Sequence, residues 1–173
     1  MINKKIKFNN KKFREAILYL IANSPKSILK GKKKLAKLLY FSDFNFFEAY
    51  EKSFTGATYR ALPMGPVPDE LENTLKELNG NEIKISKSKI GLENDLWVFT
   101  LNKKPDELKF DSISVPERLV LDKVCKDFCE LSGSVLEDIS HAEAPFNAVA
   151  QGEKIPYELS YYRGKDLTEL VGQ

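Results

Sequence analysis

The stretch Tyr59-Arg60-Ala61-Leu62-Pro63-Met64-Gly65-Pro66-Val67-Pro68 constrains this chain more than any other. Three prolines and one glycine fall between positions 63 and 68. Proline fixes φ, lacks a backbone donor and pushes the residue before it out of the α region. On local chemistry, Pro63, Pro66 and Pro68 therefore exclude both helix and ladder strand across the segment. Yet Leu62, Met64 and Val67 are too apolar for a solvated linker. The expectation is a rigid, partly apolar connector. Two readings stay open: a stiff loop between helices, or a preorganised surface that a partner meets at low entropic cost.

The segments around it are predominantly helical. Phe13, Ile17, Leu20 and Ile21 recur at helical spacing, which predicts a first helix over 10–23, ended by Ser24-Pro25. A second is predicted over 32–50. Leu35, Leu38 and Leu39 define one face, and Tyr40, Phe41, Phe44, Phe46 and Phe47 then make it apolar almost all round, so it should be central and buried. Asp43 is the odd residue in that run. It is either an exposed carboxylate on a narrow polar strip with Asn45, or a polar anchor for the loop that follows.

Ser53-Phe54-Thr55-Gly56 reads as a turn, with a short extended piece after it. Leu71, Thr74, Leu75 and Leu78 give a third helix, with Asp69, Glu70 and Glu72 loading its start and Gly80 past its end. A hairpin follows: Ile83 and Ile85 alternate with Lys84 and Ser86, Gly91 to Asp95 lies in or near the connection, and Leu96 to Leu101 is rich in strand formers. Ser114-Val115-Pro116-Glu117 has capping-box spacing and opens a fourth helix, stopped by Gly133. Ser134 to Glu137 repeats that spacing and predicts a shorter helix through about Ala142. Pro145 to Ala150 adds a turn or two, and the end is irregular with a last turn from Asp166. The predicted fold is mainly helical α+β, a compact helical domain with one β-hairpin. Its 173 residues form a single domain, of which 151–173 is an irregular C-terminal extension.

The net charge of +2 hides an asymmetry. Residues 1–37 carry 12 Lys/Arg against one acid, Glu15, leaving the rest of the chain net acidic. Such a block can mark a nucleic-acid face. Lys30, Lys32, Lys33, Lys34 and Lys37 are the candidate contacts, because cations are disfavoured at a helix start and call for another reason to be there. The alternative is a solvated lysine-rich surface. No run reaches membrane-span length and no signal-type stretch follows Met1, so the expectation is a cytoplasmic protein with no membrane partner.

Enzyme chemistry finds little support. His141 is the single histidine, so a histidine-rich metal site cannot be built, and the nine glycines form no phosphate-cradling pattern. Ser140, His141 and Glu143 form a small polar cluster read as capping or buried-polar. Cys125 and Cys129, four apart, lack the partners of a zinc site and read as core thiols. No catalytic, metal or cofactor residue is assigned.

The ordered blocks Lys37-Leu38-Leu39-Tyr40-Phe41-Ser42-Asp43, Thr55-Gly56, Tyr59 to Pro68, and Ser140-His141-Ala142-Glu143-Ala144-Pro145-Phe146 resemble the SocA-like, or Panacea, antitoxin domain, formerly grouped with phage-associated proteins. The resemblance spans about 13–150. Met64 stands where the family often has an aromatic residue, and Phe146 where it has tryptophan. The resemblance implies a bacterial, non-enzymatic antitoxin of a two-gene module that binds its cognate toxin directly. It also leaves open a branch that delivers the toxin to a AAA+ protease, while the basic N-terminal third leaves open a regulator that binds operator DNA. The motif positions it marks, also candidates for partner contact, are Tyr40, Asp43, Tyr59, Met64, Gly65, Pro66, Val67, Glu143, Pro145 and Phe146. For Gly65 and Pro66 the alternative role is backbone geometry, and for Tyr40 and Asp43 it is pinning the loop.

Overall fold

The computed structural model describes residues 5–90 and 94–164. Its centre is α2 (Lys32–Tyr50), which is buried without a break from Lys34 to Phe47. The bounds are those expected from periodicity, and the run of aromatic residues explains the burial: rings on every side of a helix need neighbours on every side. α1 (Asn10–Ala22) packs along it, capped by the Asn9 side chain, which accepts from the Lys12 amide. α4 (Val115–Phe128) opens on the expected capping box of Ser114 and Glu117, and its Phe128 stacks on Phe41 of α2. α3 (Leu71–Leu78) buries Leu71, Thr74, Leu75 and Leu78, the predicted stripe.

α5 (Gly133–His141) starts earlier than Ser134 suggested. Ser132 is the cap, accepting from the Val135 amide, and Gly133 opens this helix rather than closing α4. Glu137 is drawn away to an ion pair with Lys33 on α2. A tertiary partner has outcompeted the local cap. The one-turn α6 (Ala144–Asn147) and 3-10 segments at Pro25–Ser27, Pro105–Glu107 and Tyr157–Tyr162 are the remaining helical pieces among the described residues. The turn expected from Asp166 and the hairpin connection at 91–93 lie outside the described residues.

The single-hairpin expectation is wrong. The described residues contain five strands in two sheets. The predicted hairpin is β4 (Ile83–Ile90) and β5 (Asn94–Leu101), and β5 is flanked on its other edge by β1 (Ile28–Lys30), too short to read from sequence. The second sheet is the proline segment itself: β2 (Tyr59–Leu62) pairs antiparallel with β3 (Gly65–Pro68).

Alternation explains how a strand with two prolines pairs at all. In an antiparallel ladder only every second residue turns its N–H and C=O to the partner. The Asp69 amide donates to the Thr58 carbonyl at 2.8 Å, which puts Thr58, Arg60 and Leu62 on the bonding side. Pro66 and Pro68 face Ala61 and Tyr59, the non-bonding positions, so no donor is missed. The other edge of β2 is not open either. The Ala61 amide donates to the Glu153 carbonyl at 3.0 Å, and the Gly152 and Ile155 amides donate to the carbonyls of Ala61 and Tyr59. The segment expected to be a C-terminal extension thus lines the hairpin.

Candidate functional site

The β2–β3 hairpin stands on one stripe of α2. Lys33, Lys37, Tyr40 and Asp43 are spaced four, three and three residues apart, so they share a face. Each reaches a different piece of chain.

Asp43 is fully buried and accepts three hydrogen bonds: from the Thr55 amide at 2.7 Å, the Thr55 hydroxyl at 2.5 Å and the Tyr59 hydroxyl at 2.7 Å. Burial raises its pKa to about 6, and those same hydrogen bonds oppose the rise. The structure therefore makes it the anchor of the loop and not part of an exposed strip. Tyr40 donates to Glu143 at 2.7 Å, and burial lifts its phenol well above the ordinary value. Glu143 also lies 3.6 Å from the buried guanidinium of Arg163, which pairs with Glu48 at 2.5 Å and donates to Asn45 at 2.7 Å.

Lys37 is fully buried, with its ammonium 3.0 Å from the Pro66 carbonyl. Burial lowers its pKa to about 8, against the pull of Glu137. Gly65, with φ +95°, leaves room for it: a Cβ there would sit 2.6 Å from Lys37 Cε and 2.9 Å from the Ser140 hydroxyl. Proline at the first corner excludes a turn needing positive φ there, and the positive φ falls on Gly65 instead.

This base holds up an apolar tip. Leu62 and Met64 are 36% and 58% exposed, Pro63 lies between them, and Val67 is half-buried. The motif positions divide accordingly. Tyr40, Asp43, Tyr59, Gly65, Pro66, Glu143 and Pro145 are buried, Phe146 is half-buried and stacks on His141, and Met64 points outward. Sequence reading missed Lys37 as an internal ligand of the hairpin, having placed it among surface lysines. It also missed Arg163, which nothing in its neighbourhood of sequence distinguishes.

Of the five lysines considered for nucleic acid, Lys34 and Lys37 are buried, Lys34 donating to the Cys129 carbonyl. Lys33 pairs with Glu137, and Lys32 pairs with Glu72 while lying 4.1 Å over the Trp97 ring. Lys30 is exposed and makes no ion pair among the described residues. Among those residues no group of three or more His, Cys, Asp or Glu is placed to hold a metal, and no helix is long and apolar enough to cross a membrane.

The family model described as antitoxin SocA-like, Panacea domain, matches residues 35–146. The chain belongs to this family. The match begins on α2 just before Lys37 and ends at Phe146, enclosing both strands of the hairpin and the Asp43, Tyr40 and Glu143 anchors. Its bounds are narrower than the 13–150 expected, leaving outside it α1, β1 and the 152–163 stretch that lines β2 and supplies Arg163. No curated protein matches the chain. For this Panacea domain the family supports an antitoxin-like role in general.

Proposed function

We propose that this Panacea-domain protein neutralises a cognate toxin, encoded by an adjacent gene, by direct protein contact, and that the tip Leu62-Pro63-Met64 is part of the contact. The observation that carries this reading is an exposed apolar tip on a buried, polar-anchored base. A side chain such as Met64 adapts to differing partner surfaces, while the fixed backbone beneath it lowers the ordering cost of association.

Co-expression with the product of the adjacent gene tests the proposal. Restored growth and co-purification are expected, and Met64→Glu should abolish both while leaving the thermal midpoint unchanged. Failure of the wild-type chain to rescue growth or co-purify rejects the antitoxin reading. Toxin half-life, measured in the same cells, separates steric neutralisation from delivery to a protease: it should be unchanged or longer in the presence of this protein.

A further inference from the structure

The strand β5 is apolar on both faces. Trp97, Phe99 and Leu101 alternate inward, and Phe99 is fully buried against the core with Leu29 and Ile83. The outward set is Leu96, Val98 and Thr100, with Ile28 of β1 beside Thr100. An antiparallel sheet with one face in water ordinarily alternates apolar-in and polar-out, whereas a strand apolar on both sides is typical of one covered on both sides. Ile28, Leu96 and Val98 are half-buried, and among the described residues none is packed on the hydrophobic core.

Charge says what would cover them. Lys30 flanks Val98 on one edge and Lys84 flanks Thr100 on the other. Both are exposed and neither forms an ion pair among the described residues. Ser86, Ser88 and Thr100 lie on the same face, which carries no acid among the described residues. A second copy docked through a two-fold axis would bring the same lysines together. Nucleic acid would gain from the lysines, but its phosphate backbone offers nothing apolar to pack on Ile28, Leu96 and Val98. A protein surface with an aliphatic centre and acidic rim satisfies both features.

We propose that the outer face of the three-stranded sheet, centred on Leu96 and Val98 and framed by Lys30 and Lys84, is a docking face for an aliphatic, acid-rimmed surface of the cognate toxin. This rests on the antitoxin reading above, but on residues remote in sequence from the hairpin tip.

The test uses the adjacent gene product as the probe in a binding titration against the full chain. Lys30→Glu/Lys84→Glu should weaken binding about tenfold or more, chiefly through slower association, with the gap closing as salt rises. Leu96→Thr/Val98→Thr should weaken it about as much without that salt dependence. Lys30→Gln/Lys84→Gln serves if the reversal variant fails to fold, thermal unfolding being the control. Unchanged affinity in folded variants, with the wild type binding, overturns the docking face and leaves the antitoxin reading standing. A wild-type chain that neither binds nor rescues overturns both. Self-association in sedimentation that the threonine variant abolishes, or a promoter gel shift that the glutamate variant abolishes, overturns the proposal by assigning the face to a second copy or to nucleic acid.

Discussion

The ammonium of Lys37 donates to the carbonyl of Pro66 at 3.0 Å inside the protein, joining the central helix to a strand that carries two prolines. A buried ammonium without a carboxylate in contact is costly, which is why its pKa falls to about 8. The unfolded chain keeps its proton up to the ordinary value of 10.5. Between about 8 and 10.5 the unfolded state therefore binds more protons, and Lys37 makes stability rise with pH through that window. Lys37→Met should remove this rise. Near pH 7 the loss of the bond to Pro66 and the loss of the buried charge oppose each other, so the net change should stay within about 2 kcal/mol. Urea unfolding of both proteins at neutral and alkaline pH measures the difference.

Asp43 has the opposite sign from a salt-bridged carboxylate. Its folded pKa of about 6 lies above the ordinary 3.8, so the folded state holds the extra proton between those values and stability falls as pH rises through them. The size is on the order of 3 kcal/mol. Asp43→Asn should lose this dependence, because an amide does not titrate, and should keep the loop anchored, because the Thr55 and Tyr59 hydroxyls can turn to accept from it. Asp43→Ala should instead cost about 2–5 kcal/mol at pH 7, by leaving buried donors unpaired. Denaturation midpoints at acid and neutral pH, as differences from wild type, separate the two.

Gly65→Ala should lower stability by about 1–3 kcal/mol. The strain of an L-residue at φ +95° is unavoidable, and the added methyl would meet Lys37 Cε at 2.6 Å, where the lysine is enclosed and cannot swing to solvent. Thermal unfolding reads this directly, and Lys37→Met in the same chain should recover part of the loss.

Arg163→Ala should cost about 2–4 kcal/mol, since it removes the cation paired with half-buried Glu48 and lying beside Glu143, and the donor to Asn45. A chain cut after residue 151 loses this guanidinium and also the backbone bonds to the outer edge of β2. Its hairpin amides should exchange with solvent faster than those of α1 or α4, as measured by hydrogen exchange.

Short-range physics is legible in the order of residues. Spacing of Phe13, Ile17, Leu20 and Ile21 places α1, the aromatic run places α2 at the centre, and Ser114 with Glu117 starts α4. The ordered motif blocks place the chain in its family, because they are properties of residue order alone. The closed fold is what makes the proline segment a hairpin, because its outer edge is paired by residues 152–155, far along the chain. It likewise decided that Lys37 faces inward while Lys30 stays exposed, and that Ser132 rather than Ser134 caps α5. Periodicity says which residues share a face of a helix. What that face meets, and so whether a lysine is a surface charge or an internal strut, is set by segments brought together only when the chain closes on itself.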